Sequence, residues 1–192
     1  MTKMLVNALA CVVLCSSFAC SVDEGKAYLA SVMENIFANE QTYIRDLGSG
    51  NLVVKKRAIY YLGKKKVKEA VPAIMKLLKK NQPKTIILNS IVALGKIGDP
   101  RPAEALIKLL DDDDQEIRVT AIWALGKTKS PKAVRPLLNL VGDKTVCLTV
   151  IWALGYIGER DAVPKLTSLL KDDDKFIRYN AAQSLKHIGN LN

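Results

Sequence analysis

Apolar positions along the chain recur in units of about 31 residues. Each unit holds a first apolar stretch at helical spacing, a glycine after leucine, and a second apolar stretch. The glycines and the lysine aligned with them are 32, 31, 29 and 31 residues apart: Gly63, Gly95, Gly126, Gly155 and Lys186. Such a period is typical of stacked supersecondary units, each of which buries its apolar face only against its neighbours.

The repeated stretches predict two helices in each unit. The first helices are predicted over residues 54–63, 86–95, 117–126, 146–155 and 177–186. The second helices are predicted over 70–78, 103–110, 133–141 and 162–170, with Pro72, Pro102, Pro136 and Pro164 in or near their first turns. Proline is tolerated there because the first N–H groups of a helix lack an intrahelical partner. We expect the glycine after leucine to adopt the left-handed conformation that ends each first helix.

The repeated unit resembles the HEAT-repeat family in its short form, found in phycobilisome lyase-like proteins, whose units read V-R-x-x-A-x-x-A-L-G-x-I-G-D and then A-V-P-x-L. The residues that carry the resemblance are Ile117-Arg118, Ala121, Ala124-Leu125-Gly126, Ile97-Gly98-Asp99 and Ala162-Val163-Pro164. The resemblance covers about residues 51–189 and implies an all-α fold, a right-handed α-solenoid of about four and a half helix pairs. The family includes scaffolds, lyase subunits and nucleic-acid repair proteins, so the resemblance alone does not choose a function.

The chain before the repeats divides into two predicted segments. Residues 1–20 are typical of a secretory leader, with Lys3, an apolar run, and small residues before Cys20. A small residue followed by cysteine resembles the lipobox of bacterial lipoproteins, which implies lipidation of Cys20, although Ser17 stands where leucine is usual. Cleavage without lipidation and an uncleaved anchor remain open. The predicted location is the cell envelope, as a membrane-anchored lipoprotein or a periplasmic or secreted protein.

Residues 21–50 are predicted to form an N-terminal helical cap on the array, which occupies 51–192. An apolar stripe at helical spacing supports this prediction: Tyr28, Leu29, Val32, Met33, Ile36 and Phe37. At the other end, the last predicted helix has no second helix after it. Phe176, Leu185 and Ile188 are therefore expected to be uncovered, which favours a dimer contact through the C-terminal helix.

The composition adds a strong positive charge. The chain carries 29 Lys and Arg against 19 Asp and Glu, a net charge of +10. Such a charge fits nucleic acid, an anionic lipid surface or an acidic protein. A predicted basic patch in the first half of the chain comprises Lys64, Lys65, Lys66, Lys68, Lys76, Lys79 and Lys80. The same lysines are equally consistent with a solvated surface.

The outward positions of the first helices predict a continuous wall, which the family resemblance implies is the concave surface. Its predicted partner-binding residues are Arg57, Tyr60, Asn89, Val92, Thr120, Trp123, Thr149, Trp152, Tyr156, Tyr179, Asn180 and Gln183. Aromatic and arginine side chains beside polar groups are typical of protein-binding anchors. The alternative interpretation places Trp123 and Trp152 in the core between neighbouring repeats.

No catalytic group, metal site or cofactor is predicted. His187 is the only histidine, and Cys147 is the one cysteine within the repeats. The runs Asp111–Asp114 and Asp172–Asp174 are interpreted as helix caps. Arg118 and Arg178 are expected to pair with Asp residues in a ladder between repeats.

These observations favour a non-enzymatic protein–protein interaction scaffold that is exported and membrane-tethered. It would hold a peptide or protein segment in the aromatic and basic groove, and no small-molecule substrate is evident. Two alternatives remain open at this stage. One is a nucleic-acid-binding or alkyl-base repair-like HEAT protein, which export disfavours, and the other is a bilin lyase-like subunit.

Overall fold

The computed structural model describes residues 40–190, and those from Thr42 onward belong to one compact unit. The predicted leader with Cys20 and the stripe from Tyr28 to Phe37 lie outside the described residues. All regular elements of the described part are helical. The helices are α1 (Glu40–Asp46), α2 (Leu52–Lys65), α3 (Val71–Met75), α4 (Lys84–Ile97), α5 (Ala103–Ile107), α6 (Gln115–Thr128), α7 (Val134–Asn139), α8 (Cys147–Ile157), α9 (Val163–Ser168) and α10 (Lys175–Asn190).

The helices alternate between two classes. The first helices, α2, α4, α6, α8 and α10, are long and carry the repeated apolar pattern. The second helices, α3, α5, α7 and α9, are short and are extended by 3₁₀ turns. Proline occupies the first turn of α3 at Pro72 and of α9 at Pro164, and Pro102 is the N-cap of α5. The predicted α-solenoid of paired helices is therefore the observed architecture.

Acidic and amide side chains start the first helices. Asn51 caps α2 by accepting a hydrogen bond from the Val53 N–H at 2.9 Å. Asp114 does the same for α6, accepting from the Glu116 N–H at 2.9 Å, and Asp174 accepts from the Phe176 N–H at 2.7 Å. The two aspartate runs therefore satisfy the N–H groups that a helix leaves unpaired at its start.

The glycine after leucine does not end the first helices, so this prediction is wrong. Gly63, Gly95, Gly126 and Gly155 lie inside their helices, and the left-handed residues come three positions later: Lys66 (φ 56°), Gly98 (φ 71°), Lys129 (φ 50°) and Gly158 (φ 87°). The helical glycines instead allow the next first helix to approach. A Cβ on Gly63 would lie 2.9 Å from both the Cα and the Cβ of Ala93. Close helix packing, not helix termination, explains these four glycines.

The two arginines contact the predicted Asp runs, but through main-chain carbonyls and within one unit instead of as a ladder between repeats. Arg118 donates to the carbonyl oxygens of Asp112 and Asp113 at 2.8 and 3.1 Å. Arg178 donates in the same way to the carbonyl oxygens of Asp172 and Asp173 at 2.7 and 2.8 Å. Each arginine therefore holds the turn that precedes its own helix, because its guanidinium replaces the N–H partners that this turn lacks.

The solenoid has a tight layer and a loose layer. Each first helix packs directly along the next, whereas the second helices touch one another only slightly. Leucines that precede the helical glycines fill the space between the layers, and all of them are fully buried: Leu62, Leu94, Leu125 and Leu154. The first helices therefore form one continuous layer of the array.

None of the helices between residues 40 and 190 has the length and apolar character needed to cross a lipid bilayer.

The glycine packing predicts a destabilising substitution. In Gly155→Ala, the new Cβ would lie 2.5 Å from the Ser184 Cβ and 2.7 Å from its Cα. It would also disturb the 2.9 Å hydrogen bond that the Ser184 hydroxyl donates to the Ile151 carbonyl. Overpacking costs about 1–3 kcal/mol, which exceeds the gain in helix propensity of up to about 1 kcal/mol. We expect a lower free energy of unfolding in urea titration.

Gly142→Ala is the matched control, because nothing lies within 4 Å of the position of its new Cβ. We expect its free energy of unfolding to be unchanged or slightly raised. Equal stability of the two variants would contradict the role assigned to the helical glycines.

Candidate functional site

The outward faces of the first helices form one surface, here called the inner surface. All the predicted groove residues lie on α2, α4, α6, α8 or α10. Five of them are exposed, namely Arg57, Tyr60, Asn89, Tyr179 and Gln183. The others are half-buried: Val92, Thr120, Trp123, Thr149, Trp152, Tyr156 and Asn180. Two polar members of this set form hydrogen bonds within their own helices. The Thr120 hydroxyl donates to the Glu116 carbonyl at 2.6 Å, and the Asn180 amide donates to the Phe176 carbonyl at 2.8 Å.

A cleft of about 330 Å³ opens between α2 and α4 on this surface. Its lining includes Lys56, Arg57, Tyr60, Asn89, Val92 and Lys96. The Tyr60 side chain is 61% exposed, and the ammonium groups of Lys64 and Lys96 lie 5.8 and 5.7 Å from its ring centroid. The cleft therefore offers an aromatic ring flanked by cations from two neighbouring repeats.

The two tryptophans belong partly to the core and partly to the surface. The Cζ3 atom of Trp123 would lie 2.5 Å from a Cβ on Gly95, and that of Trp152 would lie 2.8 Å from a Cβ on Gly126. Each ring thus fills the space that the missing side chain leaves on the preceding first helix. Because both rings are only half-buried, they also contribute to the inner surface.

A column of stacked rings follows Trp152 toward the C-terminal helix. Trp152 and Tyr156 stack with centroids 5.0 Å apart, and Tyr156 and His187 stack at 5.7 Å. The Lys127 ammonium lies 4.1 Å from the Tyr156 centroid and 5.4 Å from that of Trp152, while Lys129 lies 5.3 Å from Tyr156. Cations and neighbouring rings therefore occupy much of the aromatic faces in this column.

The lysines change the acidity of the Tyr156 phenol. The interaction with the Lys127 ammonium holds the pKa of Tyr156 below its ordinary value of 10.0, although burial acts in the opposite direction. The charges of Lys129 and Lys66 lower this pKa as well. Lys66 lies at the end of α2, three units before Tyr156, so cations from distant repeats act on one hydroxyl.

Five lysines on or beside this surface are not paired with carboxylates. Ion pairs among the described residues lie mostly elsewhere, such as Lys84 with Asp114 at 2.6 Å and Lys132 with Glu104 at 2.5 Å. On the inner surface, Arg57 reaches Asp46 at 3.9 Å. The ion pairs found between residues 40 and 190 do not include Lys64, Lys66, Lys96, Lys127 or Lys129.

The predicted basic patch divides into two groups. Lys64, Lys65, Lys66 and Lys68 lie where α2 ends and the chain turns toward α3. Lys76, Lys79 and Lys80 follow α3, at the opposite end of the helix pair, where Lys80 lies 3.8 Å from Asp113. Of these seven lysines, Lys64 lies beside an exposed ring of the inner surface, 5.8 Å from the centroid of Tyr60.

Sequence reasoning missed Lys129 as a groove residue. The signal was its position three residues after a helical glycine, where Gly98 and Gly158 stand in other units. The predicted role of glycine as the helix end obscured this position.

Other candidate groups offer no reactive chemistry. The described part of the chain contains no group of three or more His, Cys, Asp or Glu that could hold a metal ion. Cys147 is 4% exposed, and burial raises the pKa of its thiol, so it is a core residue of low reactivity. The Nε2 atom of His187 is buried and has no hydrogen-bond partner among the described residues.

The C-terminal helix is covered unevenly. Phe176 is 58% exposed and Tyr179 is 63% exposed, whereas Leu185 is half-buried and Ile188 is 2% exposed. The expectation of an uncovered surface therefore applies to Phe176 and not to Ile188. A dimer contact through α10 stays a prediction.

Comparisons with known proteins agree with this architecture. A family profile described as HEAT repeats matches residues 44–118, 84–148 and 142–191. A solved complex of CpcE and CpcF of phycocyanin lyase from Nostoc sp. PCC7120 is 25% identical, with a TM-score of 0.66, over 79% of this chain and 65% of that chain. The present chain thus spans slightly less than two thirds of that relative. A search of curated proteins finds no match.

Designed repeat proteins share the fold at lower identity. A designed armadillo repeat protein in complex with the peptide (KR)4 is 18% identical, with a TM-score of 0.60, over 84% of this chain and 86% of that chain. An engineered protein of known structure is 20% identical, with a TM-score of 0.56, over 87% and 84% of the two chains. These likenesses concern the fold alone.

The lysines around Tyr156 predict that its phenol loses its proton at a lower pH than an ordinary tyrosine. Replacing the cation in Lys127→Met should raise the pKa of Tyr156 toward 10.0, because the ammonium that stabilises the phenolate is removed. Ultraviolet absorbance of phenolate during a pH titration measures this change. In Tyr156→Phe the earliest transition should disappear, whereas in Lys132→Met, which removes a lysine bound to Glu104, it should stay.

The lowered pKa of Tyr156 affects the stability of the fold only in alkaline solution. A lowered folded-state pKa stabilises the protein fully only above the unfolded value near 10.0, and this contribution disappears as the pH falls through the folded value. At neutral pH, the loss of this pKa shift in Lys127→Met should therefore not change the free energy of unfolding. An unchanged early transition in Lys127→Met would show that another group lowers the pKa.

Proposed function

Because the chain belongs to the HEAT-repeat family, we propose that it is a non-catalytic scaffold whose inner surface binds a segment of a partner protein. One observation carries the proposal. Aromatic rings of two first helices, Tyr60 on α2 and Trp152 and Tyr156 on α8, are exposed or half-buried and are flanked by lysines that have no carboxylate partner. Such a surface, which is partly apolar and carries unpaired cations, is stabilised by contact with a partner that supplies apolar and complementary polar groups.

The cleft between α2 and α4 is the best entry point for such a segment. Tyr60 is exposed there, and Asn89 on the adjacent helix offers an exposed amide that can hydrogen-bond a peptide backbone. The half-buried Trp123 and Trp152 continue the surface along the next repeats. Side chains of these types are the usual anchors of protein interfaces, because they bury much area with little loss of conformational entropy.

The comparisons support a protein partner in general terms. The CpcE and CpcF structure is a complex of two proteins, and the designed armadillo protein was solved with a bound peptide. That peptide is basic, whereas the inner surface of the present chain is itself basic. A partner of this surface would therefore be neutral or acidic.

A bilin lyase-like subunit is the second candidate function. The observation in its favour is the likeness to CpcE and CpcF of phycocyanin lyase, at 25% identity and a TM-score of 0.66. Under this hypothesis, the inner surface would contact a bilin or the protein that receives it.

Nucleic-acid binding has less support. Single-stranded nucleic acid needs free aromatic faces on which successive bases stack. In this chain, Tyr156 lies between Trp152 and His187, and Trp123 packs on Gly95. These rings therefore present edges and a hydroxyl more than open faces, and the exposed rings of Tyr60 and Tyr179 are separate from them.

We also propose that the chain is exported and attached to a membrane through Cys20. This part of the proposal rests on the sequence of residues 1–20 alone. Acyl chains on a terminal cysteine would hold the protein at a membrane, since each buried methylene contributes about 0.8 kcal/mol. The inner surface would then act on partners in the cell envelope.

A site-specific photo-crosslink tests partner binding. A photo-reactive benzoylphenylalanine in place of Asn89 in the full chain should crosslink a discrete protein in cells, because this position is exposed in the cleft. Adding Tyr60→Ala should reduce the yield by about tenfold, as expected for a central aromatic anchor. Tyr60 is chosen because its side chain is 61% exposed, whereas Trp152 also packs on Gly126.

The same photo-reactive residue in place of Thr167 is the matched control. Thr167 is exposed on the second helix α9, outside the inner surface, and should give no discrete product. Equal products from both positions, or none from the cleft, would contradict the proposal. A product that carries a bilin would favour the second candidate.

Metabolic labelling tests the membrane attachment. The native chain should incorporate a fatty-acid analogue and sediment with membranes, whereas Cys20→Ser should do neither, because it lacks the thiol that is acylated. Cys147→Ser should label like the native chain, since that thiol is buried in the repeats. Labelling that persists in Cys20→Ser would exclude attachment through this residue.

A further inference from the structure

Two lysines occupy backbone positions that favour glycine. Lys66 and Lys129 have φ values of 56° and 50°, and they are the only residues other than glycine with positive φ in the described part of the chain. The equivalent positions in the other two units are Gly98 and Gly158. A side chain in the left-handed conformation is strained relative to glycine. Such strain at two of four equivalent positions points to a use for the side chains themselves.

Both side chains add positive charge near one hydroxyl. Lys129 lies 5.3 Å from the centroid of the Tyr156 ring, and Lys127, two residues before it, lies 4.1 Å away. The charge of Lys66 reaches the same phenol from the first unit and lowers its pKa along with the other two lysines. The strained lysines and the helical Lys127 therefore contribute to one electrostatic environment.

This environment lacks an internal counter-charge. None of the ion pairs found among residues 40–190 includes Lys66, Lys127 or Lys129. Lys127 is half-buried beside the rings of Trp152 and Tyr156, whereas Lys66 and Lys129 are exposed. Attraction to an anion is stronger at the half-buried Lys127 than at an open surface.

We propose that Lys66, Lys127 and Lys129, together with the Tyr156 hydroxyl, bind the carboxylates of an acidic segment in the partner protein. The inference rests on the proposed function of the inner surface and names the chemistry of its partner. Ammonium groups and a phenol donate hydrogen bonds to carboxylate oxygens, and charge-assisted bonds of this kind are the stronger ones. Several cations at one site favour adjacent Asp or Glu residues over a single carboxylate.

An acidic peptide fits the site better than other polyanions. Nucleobases would need open ring faces, and those of Tyr156 are covered by Trp152, His187 and Lys127. An extended peptide can lie along the layer of first helices and place its side chains against successive repeats.

Substituting glycine for Lys66 and Lys129 distinguishes a role of these lysines in binding from a role in folding. The probe is a fluorescein-labelled octaglutamate peptide, and its anisotropy is measured with the full chain at about 150 mM salt, where weak surface attraction is screened. The double variant Lys66→Gly, Lys129→Gly should raise the Kd by about tenfold, since two charges leave the site. Its free energy of unfolding in urea should be unchanged or raised, because glycine removes the left-handed strain.

The charge-matched control is Lys76→Ala, Lys79→Ala, which removes two exposed lysines from the opposite end of the first helix pair. Its Kd for octaglutamate should stay within about twofold of the native value. An equal loss of binding in both double variants would overturn the site in favour of general charge attraction. Failure of the native chain to bind octaglutamate would also overturn it.

Three further outcomes decide the inference. A lower free energy of unfolding in the Lys66→Gly, Lys129→Gly variant would show that these lysines stabilise the fold, and the site would be withdrawn. Losses that appear only with a single-stranded oligonucleotide or with phosphatidylglycerol vesicles would overturn the peptide assignment. A partner crosslink at Asn89 that persists at full yield in this variant would leave the proposed function standing and remove this site.

Discussion

The close approach of successive first helices is the contact on which the rest of the structure depends. Gly63, Gly95, Gly126 and Gly155 have no Cβ, so the backbone or side chain of the next helix occupies that space. The second helices contact one another only slightly. The alignment of the inner surface follows from the regular packing of the first helices.

The same contact explains why aromatic residues of the inner surface are half-buried. Trp123 and Trp152 place one edge against the glycine of the preceding helix, and the rest of each ring remains accessible. Their packing fixes where Tyr156 and His187 can stack. The candidate site is therefore held by the repeat interfaces themselves, so that recognition and stability share several side chains.

Helices and repeat boundaries could be predicted because they depend on local pattern and period. The stretch 117–126 was predicted as helical and forms the centre of α6 (Gln115–Thr128). The role of the helical glycines could not be predicted, because a glycine after an apolar stretch also signals a helix end. The true ends at Lys66 and Lys129 are indicated only by their alignment with Gly98 and Gly158, since lysine has no preference for positive φ. The contacts of Trp123 and Trp152 depend on distances between repeats, which a single repeat does not contain.

Positions counted from each helical glycine show how one repeat plan can carry different chemistry. The residue directly after the helical glycine, or after the aligned Lys186 in the last unit, differs between units. In order, these residues are Lys64, Lys96, Lys127, Tyr156 and His187. Because a solenoid places these residues side by side, the inner surface changes from ammonium groups to aromatic rings between the third and fourth units. Lys127 and Tyr156 meet at this boundary, 4.1 Å apart. A partner that presents carboxylates beside apolar side chains would match both sides of the boundary, whereas a uniformly charged partner would match only one.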